Sequence, residues 1–285
     1  MAGFNNFKDL VDTEESFSRY STWRKIPTQT TGAGIWFDLS MSPGNPVPQY
    51  YAASPTVAVA LAQSTDWGLY HSPAVSPKSK FLRKLTAITT TAAATPLSLI
   101  LCDYLMYYPF IDESITDPQL MTTNISLPRY PTGEGVQMMA VVVASQTGGQ
   151  TFQITYTNSK GKGGRVSQTV TCNTQVVNGT ILTSAPATVG AFSPFIPLQG
   201  GDTGINHVDS VQMNGADVGL FSLVLVKPLA SLAILDITAP LEIDFLKDYS
   251  VMPQIVDDAY LNFICCPNGS LSGAPIIGDI KFTWR

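Results

Sequence analysis

Proline and glycine interrupt this sequence so frequently that we expect short strands, with Pro228 among the residues that separate them. From residue 35 onward, short apolar or alternating runs such as Thr151–Thr157 and Ile276–Trp284 lie between the interruptions. Alternation of apolar and polar residues places one set of side chains on one face of a strand. About ten such runs, with no alternation of strands and long helices, predict an all-β fold: an antiparallel β-sandwich of jelly-roll-like type.

The strongest local pattern is a β-hairpin. Thr151–Thr157 alternates, and Arg165–Cys172 returns after the glycine-rich stretch 158–164. Such a stretch tolerates the positive φ angles of a tight turn, so we expect an exposed hairpin tip. In the last segment, 279–285, alternation places Ile280, Phe282 and Trp284 on one face. We expect this strand to close a sheet, either in its own domain or in a neighbour's.

The N-terminal region differs from the rest. Apolar residues recur there at roughly helical spacing, with acidic residues between them. This spacing predicts one or two short amphipathic helices. We therefore divide the chain into an N-terminal arm, 1–30, and a β-sandwich domain, 31–285, with one candidate subdivision near 112–135. The arm either leaves the domain to dock on a neighbour or folds back over the sandwich.

Composition points to an assembly subunit or to a β domain with a threonine-rich exterior. Only 13% of the residues are charged, against about 25% in ordinary domains. Short neutral polar side chains cost little to bury against another protein. The net charge of −5 and the lack of clustered Lys and Arg predict no nucleic-acid partner. No signal-peptide pattern and no apolar run of membrane-spanning length is present, so we expect no membrane partner and folding in a cytoplasm.

Residues that could perform chemistry are sparse, and we predict that the protein is not an enzyme. The sequence has two histidines, four cysteines, no C-x-x-C and no G-x-S-x-G. We therefore expect no cofactor, no metal site, buried free thiols and a solvent-exposed His71. The pairs at 112–113 and 257–258 are expected to be solvated carboxylates.

One motif requires weighing. The sequence 201–204, Gly-Asp-Thr-Gly, is similar to the aspartic-protease motif. That chemistry needs two aspartates sharing a proton, and the sequence contains no second copy. Asp202, Asn206 and Asp209 could also supply oxygen ligands to Ca²⁺, although their spacing is not that of an EF-hand. We expect the side chain of Asp202 to make an Asx-turn hydrogen bond instead.

A family resemblance enters at residues 195–212, Phe-Ile-Pro-Leu-Gln-Gly-Gly-Asp-Thr-Gly-Ile-Asn-His-Val-Asp-Ser-Val-Gln. This segment resembles one in virion structural proteins of tailed bacteriophages. The resemblance covers under a tenth of the chain and carries no catalytic residue. It implies a place in a virus particle made in a host cytoplasm, and the lack of a long helix and of an extended acidic loop favours a capsid decoration or minor capsid protein.

The resulting hypothesis is a structural subunit that stabilises a shell by binding other virion proteins. We expect a homo-oligomer, with a trimer favoured. The alternatives are a tail or baseplate component and a receptor- or carbohydrate-binding module. Aromatic residues supply the candidate interface contacts: Phe4, Phe7, Tyr20, Trp23, Tyr50, Tyr51, Trp67 and Trp284.

Overall fold

The computed structural model describes residues 6–121, 125–172, 174, 177–184, 193–249 and 251–285. Within them, the helices are α1 (Phe7–Ser16) and α2 (Gln63–Asp66), with short 3₁₀ turns at Leu39–Met41, Ala92–Ala94 and Leu182–Ser184. None of these helices is long and apolar enough to cross a membrane.

Strands account for most of the regular secondary structure of the described residues. They are β1 (Ser18–Lys25), β2 (Phe37–Asp38), β3 (Gly44–Asn45), β4 (Val59–Ala60), β5 (Lys80–Thr89), β6 (Leu97–Asp112), β7 (Gln119–Leu120), β8 (Gln137–Ala144), β9 (Thr151–Asn158), β10 (Arg165–Val166), β11 (Val170–Thr171), β12 (Ile205–Met213), β13 (Leu220–Ile234), β14 (Leu241–Asp244), β15 (Gln254–Ile255), β16 (Leu261–Pro267) and β17 (Ile276–Trp284).

Three antiparallel sheets form the fold. The N-terminal sheet has the order β14-β5-β17-β1-β3, with β15 also on β5. The central sheet has the order β2-β16-β6-β13-β8, with β4 also on β6. The hairpin sheet has the order β10-β9-β12-β7, with β11 also on β9. The predicted fold class, an antiparallel β-sandwich with a short N-terminal helix, is confirmed.

The long strands β6 and β13 of the central sheet carry two hydrophobic cores in succession. Leu97, Leu99 and Leu101 of β6 pack with residues of the N-terminal sheet such as Phe282. Further along the same strand, Leu105, Tyr108 and Ile111 pack with residues of the hairpin sheet such as Ile154. Because β6 precedes the segment 112–135 and β13 follows it, their pairing joins the two cores through one sheet.

Alternate residues of β6 face the opposite side of the central sheet. Cys102, Tyr104 and Tyr107 form a third cluster there, covered by Tyr51 and Leu61 from the preceding segment of the chain. This face is rich in hydroxyl groups, and its polar atoms need internal partners because water is excluded. Polar residues of this sheet also support a turn at the surface, which is described below.

The N-terminal region is only partly helical. Asn6 caps α1 by accepting a hydrogen bond from the backbone N–H of Asp9, but residues 18–25 form a strand paired along its whole length with β17. The prediction of a helical arm over 1–30 is thus corrected in its second half. The helix folds back over the sheet, where Glu14 binds Arg83 at 2.6 Å and Lys281 at 2.8 Å.

Two local expectations are confirmed and one is wrong. The hairpin pairs Arg165 with Tyr156, and the last strand lies between β5 and β1 in its own domain. Pro228, however, does not separate two strands. The strand β13 continues through it, and the register shifts between Pro228 and Ala230, because a bulge accommodates the missing N–H.

Candidate interaction surface

The strand β1 has a free edge. It pairs with β17 over all its residues, whereas β3 meets only Arg24 and Lys25 on the other side. No strand of the described residues pairs with that side of Ser18–Trp23. The loop around Tyr70 lies beside this edge, since the Ser21 hydroxyl donates to the Tyr70 carbonyl. Exposed edges readily contact other chains.

Cations stack on exposed aromatic rings along this edge. The Arg19 guanidinium lies 4.7 Å from the centre of the Tyr70 ring, and the Lys281 ammonium lies 5.4 Å from that of Tyr20. The Lys78 ammonium lies 3.2 Å from the centre of the Phe17 ring. Each contact is worth about 0.5–1 kcal/mol at an exposed position, enough to restrain flexible side chains. We call Phe17, Arg19, Tyr20, Trp67, Tyr70 and Lys78 the aromatic edge.

Trp67 is the most exposed of these aromatic residues, at 68% of its area. Its backbone is left-handed, with φ +59° and ψ +41°, which is rare for a bulky residue and costs about 1–2 kcal/mol. Gly68 follows it, and a Cβ there would lie 2.9 Å from the Tyr260 ring. The chain thus holds an apolar ring in solvent on a strained turn, which is a feature of functional sites.

Buried charges fix the turn that presents Trp67. Asp103 on β6 accepts two bonds from Arg129, at 2.9 Å from Nε and 2.7 Å from Nη2, and one at 3.0 Å from the Tyr260 N–H. Arg129 Nη1 also donates to the carbonyl of Leu61, just before α2, at 2.9 Å. Arg129 thus binds the residue just before the turn that carries Trp67, and Asp103 binds Tyr260, against which Gly68 of the same turn packs.

A second carboxylate supports the same turn from the surface. Asp258 accepts bonds from the backbone N–H of Ser64 at 2.8 Å and from its hydroxyl at 3.0 Å. Within the turn, the Asp66 carboxylate accepts from the Ala62 N–H at 2.9 Å. Asp258 is therefore a cap for this turn and not the freely solvated charge that was expected.

Several candidate interface residues lie at the surface. Phe7, Tyr20, Tyr50 and Trp67 are exposed, and Trp284 is half-buried. Phe4 lies outside the described residues. These positions remain predicted contacts.

Trp23 and Tyr51 require a correction, since both are buried. The Trp23 ring stacks on Phe263 at 4.1 Å inside the first core. The Tyr51 hydroxyl donates to the buried Asp38 carboxylate, which also accepts from Tyr104 at 2.7 Å. These rings stabilise the interior, where no partner can reach them.

A second surface feature is an apolar groove at the far end of β6. It has a volume of about 550 Å³, within the 300–1,000 Å³ range of binding pockets. Its lining residues are Pro55, Thr56, Phe110, Asp112, Ile115, Pro118, Gln119, Leu120 and Leu220. The sequence pattern predicted only a candidate subdivision near 112–135 and not this groove, although Ile115 and Leu120 are apolar residues in a proline-rich stretch.

The protease-like motif is structural. The Asp202 carboxylate accepts bonds from Arg165 at 2.8 Å, the Tyr156 hydroxyl at 2.7 Å and the Asn158 amide at 2.7 Å. These bonds, first that from Arg165, hold the pKa of Asp202 well below its usual range. The backbone N–H of Asp202 donates to the Gln199 carbonyl in a turn. The expected Asx-turn bond of its side chain is wrong, because the carboxylate binds Arg165, Tyr156 and Asn158 instead. The carboxylate locks the base of the hairpin.

His71 is buried, contrary to the expectation of an exposed loop residue. Its Nε2 lies 2.9 Å from the Ala259 carbonyl, and its Nδ1 lies 3.0 Å from the Lys80 ammonium. Burial, followed by the positive charge of Lys80, lowers the pKa of His71 to about 4. Lys80 also binds Asp257 at 3.3 Å. These groups tie the loop after Tyr70 to the sheet.

Glu113 is also buried, so the expected solvated pair at 112–113 is wrong at its second position. Burial, followed by the nearby charge of Asp217, raises the pKa of Glu113 to about 7. Cys102, Cys172 and Cys265 are buried free thiols, as predicted, while Cys266 is partly exposed. Across the described residues, no group of three or more His, Cys, Asp or Glu side chains could hold a metal ion.

Comparisons with known proteins add no identity. No family model matches the sequence, and no curated protein matches it. The infectious bursal disease virus VP2 subviral particle aligns over 94% of this chain and 80% of that chain, with 10% identity and a TM-score of 0.17. The T13 IBDV viral particle aligns over 94% and 77%, with 10% identity and a TM-score of 0.15. Scores this low carry no argument about shared fold or function.

Proposed function

We propose that this protein is a structural component of a virus particle, of the capsid decoration or minor capsid type. In this proposal it is not an enzyme, and it acts by binding copies of itself and other virion proteins. The observation that carries the proposal is the aromatic edge, with Trp67 held in solvent on a strained and buttressed turn. Tryptophan, tyrosine and arginine are the residues that dominate the energy of protein interfaces.

The geometry of the edge supports a binding role in preference to a catalytic one. Trp67 and Tyr70 are three residues apart, so their Cα atoms lie within about 11 Å of each other. Both are restrained before a partner arrives, which lowers the entropy cost of association. In contrast, Asp202 and His71 are engaged in internal hydrogen bonds, although their side chains are of types used in catalysis.

The test is incorporation into particles from the source of this sequence, together with solution mass by light scattering. We expect native protein to oligomerise and to be present in particles in many copies. The variant Trp67→Ser should fold with unchanged circular dichroism but lose incorporation. The control is Leu235→Ser, which removes an exposed apolar side chain, with 75% of its area accessible, just after the end of β13. Native protein that is monomeric and missing from particles would refute the proposal.

An exposed tryptophan is also a platform for a sugar ring, which supports the alternative of a carbohydrate-binding module. Glycan-array binding that disappears in Trp67→Ser, while particle incorporation persists, would favour that alternative. Loss of incorporation without any glycan signal would favour the structural role.

A further inference from the structure

The charged residues near the apolar groove are acidic. Asp112 lines it, and Asp117 lies in the sequence between the lining residues Ile115 and Pro118. The segments 112–121 and 206–219 contain no Lys or Arg. Their other exposed or half-buried acids are Asp209, which lies 3.2 Å from His207, and Asp217. Leu120 is exposed over 66% of its area and Ile115 over 43%. The groove is therefore an apolar surface with an acidic rim.

The aromatic edge has the opposite character. Arg19, Arg24 and Lys78 are exposed, and none of the ion pairs among the described residues includes them. The nearby Glu14 is neutralised by Arg83 and Lys281. The acids at the Trp67 turn, Asp66 and Asp258, accept hydrogen bonds from the backbone of the turn. Among the described residues, cations without acidic partners thus lie beside exposed aromatic rings on one surface, and acids without a Lys or Arg partner lie beside an apolar groove on another.

The two surfaces can be used at the same time by one chain. The aromatic edge lies at the level of Asp103 on β6, because Asp103 holds the flank of the Trp67 turn. The groove is lined by Phe110 and Asp112 of the same strand. At about 3.3 Å per residue, seven to nine residues of strand separate Asp103 from these two residues by about 23–30 Å. A partner on one surface leaves the other free.

We infer that the aromatic edge of one copy docks into the acidic apolar groove of a second copy, in a head-to-tail contact. The inference rests on the proposed structural role and specifies the contact between copies. Rings of Trp67 or Tyr70 supply apolar area to the groove, and Arg19 and Lys78 face its acidic rim. A head-to-tail contact repeats into a closed ring or an open filament, and the contact weakens as salt is added.

The hairpin tip is the competing basic partner. Lys160 and Lys162 are exposed there, but residues 158–166 contain no aromatic side chain to fill an apolar groove. The tip therefore offers charge without apolar area. Its lysines provide a matched control, because they carry the same charge as the edge cations at a different place.

The test uses two charge-reversed full-length proteins. The edge variant is Arg19→Glu with Lys78→Glu, and the groove variant is Thr116→Lys with Asp117→Lys. We expect each alone to self-associate at least tenfold more weakly than the native chain in analytical ultracentrifugation. Mixed together, they should form a 1:1 complex, because each retains one intact half of a head-to-tail contact. The control, Lys160→Glu with Lys162→Glu, should associate as the native chain does.

Circular dichroism and thermal melting establish that all three variants fold. Native-like association of both the edge and groove variants, or no complex in their mixture, overturns the inference, as does loss of association in the hairpin control. A native chain that stays monomeric in solution also overturns it. Particle incorporation is scored separately, so a protein that enters particles without head-to-tail association retains the proposed function and loses only this contact.

Discussion

Two buried acids on one stretch of chain, Asp103 and Glu113, have opposite surroundings. Asp103 lies within β6 and accepts two bonds from Arg129 and one from the Tyr260 N–H. Glu113 lies just beyond the end of β6, and its carboxylate oxygens accept no conventional hydrogen bond among the described residues. Its neighbours are the thiol of Cys172, a weak donor, and the charge of Asp217.

The difference shows that β6 leads from a region held by an ion pair, at Asp103, to a region where buried polar groups of the described residues lack partners, at Glu113. The ion pair with Arg129 fixes the Trp67 turn, whereas the carboxyl group of Glu113 is most stable when it is neutral. The Gln146 side chain, also buried and without partners among the described residues, adds to the unsatisfied polar groups in the region of Glu113. Gly219, whose carbonyl accepts from the Glu113 N–H, has φ +151° and a Cβ there would lie 2.5 Å from Gln146.

The largest expected effect is a loss of unfolding free energy when the ion pair between Asp103 and Arg129 is broken. Replacement of Arg129 by Met leaves Asp103 buried without a counter-charge, and we expect the free energy of unfolding to fall by about 3–5 kcal/mol. Urea denaturation measures this change. The control Lys84→Met removes a surface ion pair with Glu242, and it should cost less than about 1 kcal/mol. Equal effects of the two substitutions would contradict a special role for Arg129.

A smaller effect, a gain in stability, is expected when Glu113 is replaced. Its pKa rises from 4.5 to about 7 on folding, so its stabilising contribution is complete below pH 4.5 and is lost as pH rises through 7. We therefore expect Glu113→Gln to be more stable than the native chain at pH 8, by on the order of 2 kcal/mol. At pH 4 the advantage should vanish. Thermal melts across this range measure both values, and a pH-independent difference would exclude titration of Glu113.

The smallest effect on stability is expected at Trp67, the residue whose turn Arg129 and Asp103 support. Glycine adopts the left-handed conformation freely, so Trp67→Gly should change the free energy of unfolding by less than about 1 kcal/mol. Association, in contrast, should weaken markedly. Paired measurements by urea denaturation and light scattering separate the two. A large loss of stability would show that the exposed ring has a structural role.

Much of the fold could be predicted from local pattern. The alternation in 151–157 buries Phe152, Ile154 and Tyr156, and the return strand pairs as expected. The candidate surface was found only in part. Trp67 and Tyr20 were predicted from residue type, but Arg19 and the groove at Ile115 were not singled out as parts of an interface. Arg19 meets Tyr70, and Leu220 lines the groove beside Ile115, only because the fold brings distant segments together.

The sequence by itself determined the β class, the hairpin and the terminal strand, because a period of two residues is a local property of the chain. Tertiary structure decided burial. Trp23 and Trp67 are the same residue type, yet one stacks in the core and the other stands in solvent. Asp103 and Glu113 are both buried acids, yet only one has a cation, since Arg129 reaches Asp103 through a fold contact 26 residues distant. Contacts of this kind depend on how distant segments meet, which no local pattern encodes.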